Sequence, residues 1–410
     1  MKTRKILSVL TAAALLLASA GCSPEAAVTT TTAAETTAAE TTAETTTTAA
    51  ETSEETTTVA EEAPAKEEAG EIETYYNPNF KIEVLSDGIK KVTDGDGREL
   101  VLVPKALSEV PAEYSESLVV RTPVENAVFL SATQVCTFRT VDDKEIVDAI
   151  GGVEGGAESW ADVPVIAEGL ANGSIADVGG DGMGEPNYEV IQSLNPEIVF
   201  VYSGEYGQLS QMAKFDELGI PYAVDNEYME SDYMAKMEWM RFILTFFNAD
   251  DKAEAAMSAA KTAVEQAKAA VEGKEKPTVA VFMSYDGVIY HTGDSSWVGA
   301  LISDMGGVNA FSGLPDYGIT YEEAFERARE ADIIVYSSTA AYTPGLEGVI
   351  SEFPQLTECK AYENNRVYQY ADAFWNSIDQ TDVLACDFGA VLYPDEFEGR
   401  ELTYYIKLEK

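Results

Sequence analysis

Hydrophobic and polar positions divide the chain into stretches of different character. A short apolar run over residues 6–18 follows Lys2, Arg4 and Lys5, and a segment to about residue 73 is then almost only Thr, Ala, Glu and Ser. After it, apolar runs alternate with amphipathic stretches to the C-terminus. Residues 81–103 read as a β-hairpin turning at Asp94-Gly95-Asp96-Gly97, where Gly supplies the positive φ of the turn. The Asp-Gly pair lacks the later ligands of a calcium loop, so a turn is expected there. A buried strand is predicted over 117–122, and 146–150 leads into a Gly-rich loop. A helix over 188–194 delivers a strand over 197–202, and a helix over 208–218 delivers one over 221–224.

From 232 to 271 the pattern predicts one extended helical stretch. Met237, Trp239, Met240, Phe242, Ile243, Phe246 and Phe247 make its first part apolar. After Asn248 it is rich in Ala, Glu and Lys, with high helix propensity, and Gly273 ends it. A second α/β series opens with a strand over 278–283. The halves echo each other: Asn187-Tyr188-Glu189-Val190-Ile191 opens a helix leading to Glu-Ile-Val-Phe-Val-Tyr-Ser, and Thr320-Tyr321-Glu322-Glu323-Ala324-Phe325 opens one leading to Asp-Ile-Ile-Val-Tyr-Ser-Ser. The expected fold is therefore two Rossmann-like α/β lobes joined by one long helix, after an N-terminal signal and a disordered tether. The boundaries expected are 1–22 for the signal, 23–73 for the tether, 74–231 for the first lobe, 232–273 for the connecting segment and 274–410 for the second lobe.

The N-terminal run has the charged and apolar parts of a secretory signal and is too short to span a bilayer. Ser19-Ala20-Gly21-Cys22 ends it and resembles the lipobox of bacterial lipoproteins, with Ser19 in place of the usual Leu. Cys22 is thus the expected lipidation site, and the protein is expected outside the cytoplasm, lipid-anchored to the outer face of the cell membrane. The Thr/Ala/Glu segment cannot bury enough apolar surface to offset its ordering entropy. It reads as an acidic, self-repelling tether.

Composition narrows the function. The chain has 410 residues, 71 acidic against 27 basic, and a formal charge of −44, so phosphates are repelled and a nucleic-acid partner is excluded. Beyond Cys22 the cysteines are Cys136, Cys359 and Cys386, with no spacing that suggests a disulfide framework or a Cys-based metal site. His291 is the single histidine and reads as an ordinary strand residue, which argues against a His-ligated bare ion. No nucleophile elbow or phosphate-binding Gly loop is present. Acidic Asp181 and Glu185 argue against phosphate at the Gly179–Gly184 run. Neither catalytic residues nor a cofactor nor a metal site is expected.

Four segments together carry a family resemblance: Asn-Tyr-Glu-Val-Ile-Gln-Ser-Leu-Asn-Pro-Glu-Ile-Val-Phe-Val over 187–201, Leu-Gly-Ile-Pro-Tyr over 218–222, Glu-Trp-Met-Arg-Phe-Ile-Leu over 238–244, and Ser-Trp-Val-Gly-Ala-Leu-Ile-Ser-Asp-Met-Gly-Gly-Val-Asn over 296–309. In order and spacing they resemble the substrate-binding proteins of bacterial ABC importers for iron complexes and vitamin B12, from about Phe80 onward. The resemblance implies a non-enzymatic, monomeric protein that captures a ferric siderophore, or alternatively a cobamide or haem, and delivers it to a membrane permease. A surface sensor or adhesion lipoprotein is the reading from another class. The resemblance also implies a docking Glu on each lobe: Glu189 on the first, and Glu322 on the second with Glu323 as its neighbour. Glu323 equally suits a capping box with Thr320.

Ligand contacts are expected from loops at the C-terminal ends of the strands. In the first lobe these are Thr122, Trp160, Tyr202, Glu205 and Tyr206, with Arg121 and Arg139 as cleft cations. In the second they are Ser284, Tyr285, Trp297, Tyr317, Ser337 and Trp375. Aromatic faces beside hydroxyls suit a bulky, partly apolar chelate. Arg241 is expected to pair with Glu238.

Overall fold

The computed structural model describes residues 70–76, 78–141, 143–180, 184–204, 207–314 and 318–410. Cys22, and the signal and tether up to residue 69, lie outside them.

The first sheet comprises β1 (Gly70–Glu71), β2 (Lys81–Val84), β3 (Lys90–Thr93), β4 (Glu99–Pro104) and β5 (Leu118–Thr122), in that order across the sheet. Its pairs are antiparallel except β4 with β5. Chain expected to be tether is already paired at Gly70–Glu71, and beyond it Glu238 accepts the backbone N–H groups of Tyr75 and Tyr76 at 2.7 and 2.8 Å. The expected hairpin turn closes with Gly97 N–H donating to Asp94 O at 2.9 Å. Asp94 is buried. Its carboxylate accepts the N–H groups of Asp96, Arg98 and Val224, so this acidic turn is bonded to backbone. Gly95 passes so close to Asn226 that a Cβ would lie 2.8 Å from its Nδ2.

The first lobe's main sheet is parallel, in the order β10-β9-β6-β7-β8. Its strands are β6 (Ala127–Phe129), β7 (Ile150–Val153), β8 (Ala176–Asp177), β9 (Ile198–Val201) and β10 (Tyr222–Val224). They are connected through α1 (Ala132–Thr140), α2 (Lys144–Asp148), α3 (Pro164–Asn172), α4 (Tyr188–Leu194) and α5 (Leu209–Leu218). The Asn187 side chain caps α4 by accepting the N–H groups of Glu189 and Val190, and Asn195 at φ 51° ends it. β5 pairs with β4 and not within this sheet, so the 117–122 strand opens no βαβ unit here.

The helical stretch is two helices, not one. α6 (Tyr233–Thr245) is buried on nearly every side, whereas α7 (Asp250–Val271) buries Ala253, Met257, Ala260, Val264, Ala267 and Val271 along one stripe. Between them Asn248 has φ 54°, a conformation Asn tolerates and helices do not contain. Asp250 and Asp251 restart the helix, where the N-terminal dipole favours acids.

The second lobe follows with β11 (Thr278–Tyr285), β12 (Val288–His291), α8 (Trp297–Asp304), β13 (Val308–Asn309), α9 (Tyr321–Ala328), β14 (Ile333–Tyr336), α10 (Gly345–Glu352), α11 (Lys360–Glu363), β15 (Val367–Tyr370), α12 (Thr381–Leu392) and β16 (Tyr405–Lys407). Its sheet order is β12-β11-β14-β15-β16, with parallel β11, β14 and β15 flanked by antiparallel edges, and β13 also pairs β11. One apolar core runs from the first lobe's sheet through α6 and α7 into the second lobe's helices. Cys136, Cys359 and Cys386 are free. No helix among the described residues is long and apolar enough to cross a membrane.

Candidate binding cleft

In the second lobe, the C-terminal ends of β11, β14 and β15 enclose a pocket of about 120 Å³. Ser284 and Tyr285 line it from β11, Ser337, Ser338 and Thr339 from the segment after β14, and Trp375 from the turn after β15. Sequence reasoning placed Ser284, Tyr285, Ser337 and Trp375 at the ligand, and the structure brings these four together. Tyr342, Thr343, Glu352 and Met283 complete the lining. Of these, Tyr342 carries the same signal as the expected residues, an aromatic in a loop leaving a strand.

The pocket is braced from behind. Tyr336 donates to Glu352, and its hydroxyl accepts the Ser284 N–H at 2.9 Å. Thr343 Oγ1 donates to Glu352 and lies 2.8 Å from Ser338 Oγ. Burial, then the Glu352 bond, pushes the Tyr336 hydroxyl far above its ordinary pKa, so it stays a neutral donor. Trp375 rests edge-on against Tyr370 and Phe374, at 5.7 and 5.2 Å between ring centroids. It nonetheless remains 39% exposed, and Tyr342 is 42% exposed. An apolar ring held in place yet facing water is a surface prepared for contact.

The first lobe presents its strand ends differently. Tyr202 is buried, edge-to-face with Tyr228 at 5.7 Å, and its hydroxyl is raised by burial and then by Glu154. Ser203 donates to Asp96 of the hairpin turn and is bonded to Asn226 through both N–H and Oγ. The following loop is tight: a Cβ on Gly204, at φ +92°, would lie 2.4 Å from Tyr228 Oη. Trp160 is core, its Nε1 donating to Glu154 O at 3.1 Å. Leu209 and Met229, on the segments leaving β9 and β10, are exposed.

Other expected residues lie elsewhere. Thr122 is buried in β5, on the first sheet, where its O accepts the Lys105 N–H. The strand that belongs to the parallel sheet is β6, followed by Ser131 to Gln134, and the apolar run Ala-Val-Phe-Leu over 127–130 was its signal. Arg121 donates to the carbonyls of Val103, Pro104 and Leu107 and is no cleft cation. Arg139 is not free either. It pairs with Asp379 of the second lobe and donates to Asn376 O at 2.6 Å and Asp162 O at 3.0 Å. Asn376 in turn donates to Asp162 at 2.8 Å. These bonds strap the lobes together one residue from Trp375. Trp297 lies outside the pocket lining, stacked at 6.0 Å on Phe374 with Lys236 Nζ 5.5 Å over its ring. Glu205, Tyr206 and Tyr317 lie outside the described residues. Arg241 pairs with Glu238 at 3.0 Å and with Glu254 at 2.7 Å.

Glu189, Glu322 and Glu323 are exposed, each in the first turn of its helix. Thr320 Oγ1 accepts the Glu323 N–H at 3.2 Å, so the Thr320 half of the capping box is formed. His291 is buried and stacked on Phe311 at 5.0 Å. Among the described residues no group of three or more His, Cys, Asp or Glu is placed to hold a metal ion.

Three comparisons set this chain among known proteins. An uncharacterized lipoprotein of Methanocaldococcus jannaschii is 29% identical over 350 residues, covering 81% of this chain and 82% of that protein. A second lipoprotein of that organism is 27% identical, covering 82% and 86%. Among solved structures, a periplasmic heme-binding protein of Roseiflexus sp. RS-1 shares the fold with a TM-score of 0.52 at 17% identity, over 66% of this chain and 99% of its own. A Helicobacter pylori protein in a Ni-His complex does so with a TM-score of 0.52 at 15% identity, over 76% and 91%. The model of the periplasmic binding protein family matches residues 142–373, from the first lobe through the connecting helices to the turn that carries the second lobe's pocket, and the chain belongs to that family.

Proposed function

We propose that this protein captures a metal chelate outside the cytoplasm and hands it to an ABC import permease. The observation that carries the reading is the pocket at the second lobe's strand ends, where exposed Trp375 and Tyr342 stand among hydroxyls. Such a lining suits the organic shell of a chelate better than a bare ion. A pocket of about 120 Å³ is below the range of about 300–1,000 Å³ usual for ligand sites, so the first lobe's strand ends would complete it. Ferric siderophore is the first ligand proposed. Haem is the second, since two proteins that share the fold are periplasmic heme-binding proteins, and cobamide the third. A non-transport surface sensor is the reading this one displaces.

Titrating tryptophan fluorescence of the full chain against ferric siderophores, haemin and cyanocobalamin tests this. Saturable quenching that weakens in Trp375→Phe and Tyr342→Ala is expected. Indifference to all of them would end the chelate reading. Anchoring through Cys22 is part of the same proposal: Cys22→Ser should move the protein from the membrane fraction to the soluble one, and retention of lipid by that variant would refute it.

A further inference from the structure

The segments leaving the cleft-side strand ends have an unusual charge. Among the described residues they cover 130–134, 154–163, 178–180, 184–187, 202–204, 207–208 and 225–232 in the first lobe, and 284–287, 337–344 and 371–380 in the second. None of these residues is Lys or Arg. Carboxylates recur instead, among them Glu154, Asp162 and exposed Asp372, besides Glu227 and Asp379, which are paired with cations from other elements. The pocket's charged lining residue is Glu352.

Among the described residues, three cations that approach from other elements are matched. Arg139 reaches across the lobes to Asp379. Lys236 lies 2.8 Å from Glu227, beneath Trp297. Arg98 lies 3.8 Å from Asp94 and stacks 3.9 Å over the Tyr222 ring. An anionic complex entering here would give up hydration with no Lys or Arg of these segments to replace it, against a chain of formal charge −44. A neutral or cationic complex meets the opposite balance. The surrounding field draws a cation inward, and the exposed Trp375 and Tyr342 faces attract both apolar and cationic rims. The hydroxyls of Ser284, Ser337 and Thr339 suit the carbonyl oxygens of such a shell.

We propose that the cleft selects metal complexes with no net negative charge, such as iron(III) held by three hydroxamates, over polyanionic ones, such as iron(III) held by three catecholates. This rests on the chelate-capture reading and narrows it. On the same ground, haem with both propionates ionised should bind less well than a neutral hydroxamate complex.

The test titrates the full chain with monocationic ferrioxamine B, its neutral N-acetyl form and trianionic ferric enterobactin. The first two should bind at least about tenfold more tightly than the third, with the cationic complex weakening as salt is raised. Tyr342→Lys, measured beside Tyr342→Gln, should narrow or invert that preference, since both lose the ring and one adds a cation. The charge inference is overturned if enterobactin binds as tightly as ferrioxamine B with Trp375→Ala weakening both, or if Lys and Gln at 342 give the same preference. In either case chelate capture stands. If no complex binds, haemin and cyanocobalamin included, chelate capture itself fails and this inference with it.

Discussion

The two lobes differ in how they hold the aromatic side chains at their strand ends. At the first lobe's strand ends two aromatics among the described residues, Trp160 and Tyr202, are buried, and Ser203, Asn226, Tyr228 and the 94–97 turn are bonded to one another. At the second lobe's strand ends Trp375 and Tyr342 stay exposed over a braced floor. The sheets differ in the same sense, one parallel throughout and the other edged by antiparallel strands. Two series that echo each other in sequence thus present different side chains, the first lobe enclosed Trp160 and Tyr202 beside exposed aliphatic Leu209 and Met229, and the second the exposed rings of Trp375 and Tyr342. Side chains that are already satisfied add stability, and exposed ones add affinity.

Trp160→Ala should break this contrast most severely. Removing a buried aromatic costs about 3–5 kcal/mol of stability, so a large drop in the denaturant midpoint is expected. A near-native midpoint would mean that Trp160 is not core. Asp379→Ala should follow, because it strands Arg139 at the lobe junction. Truncating one partner of a buried pair costs about 3–5 kcal/mol, and the partial exposure of Arg139, 17% at the side chain, puts the expected loss at roughly half of that. Scattering should also report a looser arrangement of the lobes, and an unchanged profile would show that the strap is not what holds them.

Trp375→Ala should instead leave the unfolding free energy within about 0.5 kcal/mol while weakening ligand binding about tenfold or more. The reverse pattern would cancel the distinction between enclosed and exposed aromatics.

Asp225 sharpens the comparison from the first-lobe side. Burial, then Glu227, holds its carboxyl well above the ordinary range, and its Oδ2 has no hydrogen-bond partner among the described residues. A carboxyl whose pKa is raised by folding binds its proton more tightly in the folded state, so it subtracts stability as pH rises above the unfolded value. Asp225→Asn should therefore stabilise the protein at pH 7 by on the order of 1 kcal/mol, with the gain vanishing below about pH 4, where the unfolded carboxyl is protonated too. Equal gains at both pH values would refute this.

The smallest effect on the isolated protein is expected at the exposed helix starts. Glu189→Lys and Glu322→Lys should leave stability and ligand affinity unchanged and lower uptake in cells. Glu323→Lys run beside them identifies the second docking residue, and normal uptake in all three would remove the assignment.

Much of the architecture was legible because it is local. Helix α4 lies at 188–194 as expected, since Asn187 and Asn195 cap both ends from within the segment, and β9, β10, β11 and β14 follow from apolar runs bounded by turn residues. Ser284, Tyr285, Ser337 and Trp375 could be placed at the cleft because topology sends the C-terminal ends of parallel strands to one side. What the residues around 117–130 could not reveal was which apolar run pairs with which sheet. Val119, Val120 and Val128 are equally strand-like, and only long-range pairing assigns the first two to β5 and the last to β6. The break at Asn248 likewise needed a packed core on both sides to decide that α6 is buried all round while α7 is buried on one stripe. Charge partnership was the least local property. Arg139 looks like a free cation from its neighbours in sequence, and its partner Asp379 is 240 residues away. Periodicity and capping act within a few residues and can be read from them, but the matching of a buried charge depends on which distant carboxylate the fold brings within hydrogen-bond reach, and that is decided by tertiary structure alone.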